Sequence, residues 1–119
     1  MSNSPQDVYK KVLGQKGEKL VEKYIKKAGY VVLHRNFRTP FGEADIIASD
    51  GDEVVFIEVK TRGSDAFGAP REAVRKDKKR RYYQIAQFYG LQNGQETNAR
   101  FDVAEVFDDG TIEYYKNAF

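Results

Sequence analysis

Hydrophobic residues recur along this chain with two periods. From about Asp7 to Ala28, the positions Leu13, Leu20, Val21, Tyr24, Ile25 and Ala28 keep helical spacing and would share one stripe of an amphipathic helix. Gly29 supplies the stop. The pattern then shortens into apolar runs that read as strands: Tyr30–Arg38, Glu43–Ala48 and Glu53–Thr61, separated by "TPFG" and "SDGD". Asp50-Gly51 is a hairpin signal. "RGSDAFGAP" reads as a glycine-rich loop. A second helix is predicted from about Pro70 to Leu91, with Val74, Lys78, Tyr82, Ile85 and Tyr89 on one side. After "QNGQETN", the runs "RFDVAEVF" and "TIEYYK" close the chain as two strands around "DDG". The predicted order is αβββαββ, an α/β layer arrangement with a central mixed sheet flanked by helices.

Three charged residues interrupt the apolar runs. Asp45 lies in "EADIIA", and Glu58 and Lys60 lie in "VVFIEVKT". Glu58 and Lys60 are two apart and share a strand face. If the turn is an even-numbered loop with Ala48 opposite Glu53, Asp45 falls opposite Phe56 and diagonal to Glu58, and all three groups project from one face. A three-residue loop would reverse that parity. Two helical residues are placed to join them. Glu18 lies roughly 20° around the first helix from Ile25 at ~100° per residue. Lys78 falls inside the apolar stripe of the second helix.

Two carboxylates and one lysine in a dry place leave excess negative charge. A buried ion-pair network is one reading, but desolvation costs several kcal/mol per ion and makes such networks a poor source of stability. A divalent cation is the other reading, and it balances the charge directly. Asp45 and Glu58 would hold magnesium, polarising a phosphate and activating a bound water. Lys60 would orient that water or stabilise charge in the transition state. Glu18 would reach the metal through a water.

Composition narrows the choices. The chain has 119 residues, which suits one domain over residues 1–119, with 1–6 expected to be a flexible N-terminus. It contains no cysteine and one histidine, His34, which excludes disulfides, thiolate zinc sites and multi-histidine metal sites. Any metal site must be mostly oxygen, favouring magnesium, manganese or calcium over zinc. No apolar run approaches the ~18 residues of a membrane span, and "MSNSPQDVYKK" carries no signal-peptide pattern, so a cytoplasmic location is expected.

The net charge of +2 hides uneven patches. Lys10–Lys27 carries seven lysines, and "REAVRKDKKRR" carries seven basic residues. Such a face suits a phosphate backbone, although solvated helix surface has the same look. Arg38, Arg62, Lys78, Lys79 and Arg80 are the candidate nucleic-acid contacts. Asp102 reads as structural, pairing with a nearby arginine.

With Glu18, Asp45 and Glu58-Val59-Lys60 on a helix–three strands–helix–strand order, the chain resembles the restriction-endonuclease-like PD-(D/E)xK nuclease superfamily. It resembles more closely the YraN-like group within it (uncharacterised protein family 0102), through "GEKLVEKYIKKAGY", "NFR", "GEADIIA", "VVFIEVKTR", "FGAPREAV", Lys78 and "RFDV". Archaeal Holliday-junction resolvases share the helix Glu, the Asp and the Glu-x-Lys. The resemblance implies a restriction-endonuclease-like core and a magnesium-dependent nuclease site. Asp45, Glu58 and the Val59 carbonyl would be direct ligands, Lys60 the catalytic lysine, and Glu18 the completing acid. Ala44 stands where the superfamily name has proline.

The expected function is therefore a magnesium-dependent DNA endonuclease, structure-selective for branched or damaged DNA, held mainly through phosphates and plausibly a homodimer. The alternative is a nucleic-acid-binding module with an idle or partner-dependent nuclease site. An adaptor with a purely structural ion network is a third reading.

Overall fold

The computed structural model describes the backbone of residues 5–62, 76–93 and 98–118, and the side chains of 16–62, 78–93 and 98–118. The glycine-rich loop 63–69 and the predicted helix start Pro70–Arg75, with Val74, lie outside the described residues, as do Met1–Ser4 and the side chain of Leu13. The elements are α1 (Pro5–Lys27), β1 (Val31–Thr39), β2 (Gly42–Asp50), β3 (Glu53–Arg62), α2 (Lys76–Asn93), β4 (Ala99–Phe107) and β5 (Ile112–Tyr115). Pro5 and Gln6, expected in a flexible terminus, already belong to α1. No described helix is long and apolar enough to cross a membrane.

The five strands form one mixed sheet in the order β1-β2-β3-β4-β5. β1, β2 and β3 form an antiparallel meander, β3 and β4 run parallel, and β5 returns antiparallel to β4. A parallel neighbour requires a crossover, which α2 helps to supply. Burial follows from this order. β4 is buried at every position from Arg100 to Val106, as expected of a strand with both faces covered.

Each helix covers one face. Val21 and Ile25 of α1, both fully buried, pack with Ile46, Ala48, Val55, Ile57, Ala104 and Val106. Burying each such side chain stabilises the fold by about 1.5–3 kcal/mol. α1 ends in a glycine cap: Gly29 has φ 94°, its N–H donates to the Lys26 carbonyl, and the Tyr30 N–H donates to the Ile25 carbonyl. On the opposite face, Tyr82, Ile85, Ala86 and Tyr89 of α2 pack with Ile47, Phe56 and Phe101. Rings meet there edge-on, as in Phe56–Tyr89, whose centroids are 5.7 Å apart.

The register of the β2–β3 hairpin corrects the expectation. Asp50 pairs with Glu53 and Ala48 with Val55, so Ala48 does not face Glu53. The loop is the two-residue Gly51-Asp52, with Gly51 at φ 59°, as a turn with glycine first requires. Compared with the predicted pairing, the strands have slid by two residues. Parity is kept, so the faces are unchanged, but Phe56 now faces Ile47. Asp45 lies one residue beyond the last ladder pair, Ile46–Ile57.

Candidate functional site

The acids meet where the sheet departs from regular alternation. Arg35 pairs with Ile46 and Phe37 with Ala44. In a regular strand, residues two apart share a face. Here Arg35 reaches Glu22 on α1, whereas Phe37 packs against Phe88 and Tyr89 on α2. Likewise Ile46 belongs to the α1 core, while Ala44 belongs to the α2 core. Asn36, between Arg35 and Phe37, has φ 51°, in the left-handed region that asparagine tolerates better than most residues. The β2–β3 ladder ends at the same level. There the Asp45 side chain takes over, its Oδ2 accepting the Val59 N–H at 2.8 Å.

Burial pushes the Asp45 carboxyl up to about 6. The Val59 hydrogen bond and Lys78 work against that rise, and the charges of Glu58 and Glu43 add to it. Glu18 is raised for the same kind of reason: burial first, then the charges of Asp45 and Glu43, with an Asn36 hydrogen bond opposing. The helix acid singled out from the α1 stripe is therefore electrostatically part of the Asp45 cluster.

Glu58 is the most constrained acid. Its Oε1 pairs with the Lys78 ammonium of α2, and the two side chains are 16% and 25% exposed. Its Oε2 is buried with no hydrogen-bond partner among the described residues. A buried carboxylate oxygen left without a donor costs free energy, and native structures seldom tolerate one without a purpose. The Tyr82 hydroxyl, one turn along α2 from Lys78, is held well above its ordinary range by burial and then by Glu58 and Asp45. That phenol stays protonated in this surrounding. Lys60, two residues after Glu58, shares its face.

Arg62 continues the same face and lies 3.9 Å from Glu105, which is 9% exposed. Glu105 is in register with Lys60 across the parallel β3–β4 pair. Lys79 and Arg80 are exposed on α2, and Lys79 sits over the Tyr83 ring at 5.9 Å. Arg38 is exposed and 3.7 Å from Glu43.

Two glycines let the helices approach this site. A Cβ on Gly17 would come 2.6 Å from the Thr61 methyl, so glycine brings α1 onto the end of β3 and sets the neighbouring Glu18. A Cβ on Gly42 would meet the Arg81 stem at 2.8 Å, and Gly42 has φ 141°. The Arg81 side chain therefore crosses the start of β2, three residues from Asp45.

Asp45, Glu58, Lys60, Glu18 and Lys78 are thus brought to one region. Lys78 is turned inward onto Glu58 rather than outward with its basic neighbours. Asn36, Glu43, Glu105 and Arg81 were not foreseen as part of it. Among the described residues, no three Asp, Glu or His side chains are grouped tightly enough to cage an ion unaided.

This mixed sheet between two helices is the restriction-endonuclease-like arrangement expected from the motif order. Its likeness to a solved structure is one of fold: the Archaeoglobus fulgidus Hjc, a Holliday junction resolvase from an archaeal hyperthermophile, matches with a TM-score of 0.54 at 22% identity, covering 83% of this chain and 72% of that one. The family follows from sequence. The profile described as Uncharacterised protein family UPF0102 matches residues 17–106, and the chain belongs to that family. A UPF0102 protein of Desulfosudis oleivorans is 44% identical over 108 residues, covering 89% of this chain and 88% of that protein. One from Thermodesulfovibrio yellowstonii is 47% identical over 107 residues, covering 90% and 95% respectively.

Proposed function

We propose that the chain is a metal-dependent DNA endonuclease that hydrolyses phosphodiester bonds, with a preference for branched or damaged DNA. The observation that carries this reading is the buried Glu58 Oε2, without a hydrogen-bond partner among the described residues, beside Asp45, whose own carboxyl is pushed up to about 6. An oxygen pair of that kind suits a hard cation. Magnesium commonly takes only one or two carboxylates and fills its remaining positions with water. Asp45, Glu58 and the Val59 carbonyl would hold it, Glu18 would act through a water, and manganese would substitute. When bound, the ion supplies charge neutralisation at the phosphate and a more acidic water.

The chain's own residues supply the rest. Lys60 places a cation on the face of Glu58, where it would orient the attacking water or meet the charge developing on the phosphate. Lys78 holds Glu58 in the resting state and would release it on loading. Arg62, Arg38, Lys79 and Arg80, together with Arg81, would contact phosphates. Such contacts fix register rather than read bases, so binding should be salt-sensitive and weakly sequence-specific. The resolvase activity named for the fold neighbour agrees with branched DNA as substrate, and two sites in a homodimer would serve two strands.

The Lys78–Glu58 pair favours a second reading, a nucleic-acid-binding module whose nuclease site stays idle until a partner opens it. Cleavage of linear, flapped, nicked and four-way DNA, and of RNA, with magnesium or manganese separates the two. Cutting that disappears in Lys60→Ala supports the nuclease. Binding to the same DNA without any cutting above Lys60→Ala sinks the nuclease reading and leaves the module.

A further inference from the structure

Two adjacent residues of β1 treat two acids of α1 in opposite ways. Glu18 and Glu22 are four apart and stand one above the other on the helix. Arg35 takes Glu22 through a two-point hydrogen bond, its Nε donating to Oε2 at 2.9 Å while its Nη2 pairs with Oε1. Lys26 also pairs with Glu22, at 3.3 Å. Glu22 is thereby neutralised. Glu18 receives an amide instead. With the Asn36 amide oriented as its neighbours dictate, its nitrogen lies 3.3 Å from Glu18 Oε1 and 3.0 Å from Glu43 Oε1. One NH₂ group has two N–H donors, enough for two carboxylates.

The backbone is bent to make this possible. Asn36 is one of two non-glycine residues with positive φ among the described residues, and it sits where β1 passes from the α1 face to the α2 face. The left-handed turn is what separates Arg35 from Phe37 and aims the amide between α1 and β2. Asn36 is itself exposed, so its hydrogen bonds add little to stability. Its value lies in what it does not do: an amide fixes a carboxylate without cancelling its charge. A cationic side chain in its place would cancel that charge, as Arg35 does for Glu22.

We propose that Asn36 is a positioning residue that holds Glu18 and Glu43 as a paired acidic arm beside Asp45, poised for the waters of a divalent cation. This rests on the reading of Asp45 and Glu58 as the cation site. Groups that orient a metal site in this indirect way typically contribute 10–100-fold to affinity.

Asn36→Gly is the informative variant, because glycine keeps the left-handed backbone and removes only the amide. Magnesium and manganese affinities measured by calorimetry should fall about 10–100-fold with the melting temperature unchanged. Glu18→Gln in the Asn36→Gly background should add little to the loss seen for Asn36→Gly alone, because the two act through one contact. Without metal, the Asn36 side-chain NH₂ resonances should move from their wild-type positions in both Glu18→Gln and Glu43→Gln.

Wild-type metal affinity in Asn36→Gly, or effects of Asn36→Gly and Glu18→Gln that simply add, would overturn the positioning role alone. A wild type that binds neither ion would overturn the cation-site reading and this inference with it, and the resonance test would still report whether the amide bridge exists. Resonances indifferent to both Glu substitutions would remove the bridge itself.

Discussion

Two charged clusters occupy this sheet, and they resolve the same problem in opposite ways. At the start of β4, Arg100 is 5% exposed and Asp102 fully buried. Asp102 Oδ1 accepts from Arg100 Nε at 3.1 Å and from the Asn117 N–H at 3.0 Å. Its Oδ2 accepts from Arg100 Nη2 at 3.0 Å and from the Tyr114 hydroxyl at 2.5 Å. The guanidinium also donates to Asp50 at 2.7 Å, Glu53 at 3.1 Å and the Tyr30 hydroxyl at 2.6 Å. Burial alone would lower the pKa of Arg100, but its hydrogen bonds to Asp102 and Asp50 outweigh that and raise it above its already high range. Every oxygen of Asp102 is satisfied. Farther along β3, Glu58 keeps one oxygen unsatisfied among the described residues, and on β2 Asp45 is driven towards its neutral form. A closed network of this kind holds a fold together. An open one is held by the fold and stores an imbalance that a ligand can relieve.

The largest effect expected from breaking this contrast is at Arg100. Arg100→Met leaves Asp102 buried and uncompensated and should cost about 3–5 kcal/mol in chemical denaturation. A cost below about 1 kcal/mol would show that the closed network is not structural.

Next comes Lys60. Lys60→Ala should lower any metal-dependent cleavage by about 10²–10³-fold while leaving the denaturation midpoint near wild type. Equal losses of stability and activity would erase the distinction between the clusters.

Asp45 tests the stored imbalance. Its folded pKa of about 6 lies above the ordinary aspartate value of 3.8, so between those pH values the folded state binds more protons than the unfolded chain. Stability without divalent ions should therefore fall as pH rises from about 4 to 6. Asp45→Asn keeps an acceptor for the Val59 N–H and should remove that fall. The variant should be more stable than wild type at pH 8 by at most about 2–3 kcal/mol, with the gain vanishing below pH 4. A destabilised variant at pH 8 would place Asp45 with the closed kind of cluster.

The smallest effect concerns the support beneath Glu18. Gly17→Ala places a Cβ against the Thr61 methyl and should cost about 1–3 kcal/mol. Thr61→Ser should recover most of it by removing that methyl. Failure of the pair to recover would show that α1 is not held by this contact.

Much of the site was legible because strand parity is robust. Glu58 and Lys60 share a face of β3 whether the hairpin loop has two residues or four, and a register wrong by two still brings Asp45 to that end of β3. Glu18 was legible from helical angle alone. The rest depends on events that periodicity does not encode. Asn36 acts through one left-handed residue that turns β1 from one face to the other, and its only sequence signal is that asparagine tolerates that conformation. Glu43 becomes relevant only through Asn36. Glu105 reaches the site through a parallel pairing with a strand distant in sequence, and Arg81 through the missing side chain of Gly42. The inward turn of Lys78 was visible in its stripe, but its partner was not.

The Arg100 cluster has a further consequence, for how the molecule folds. Its bonds join Arg100 to Asp50 and Glu53 across 50 and 47 residues of chain. The meander that carries Asp45, Glu58 and Lys60 closes through short hairpins, whereas β4 must find β3 across a crossover that includes all of α2. Arg100 therefore acts as a seam between an early-forming half and a late-arriving strand. Weakening it should speed the opening of that seam, which makes unfolding rate the sensitive readout of this end of the sheet.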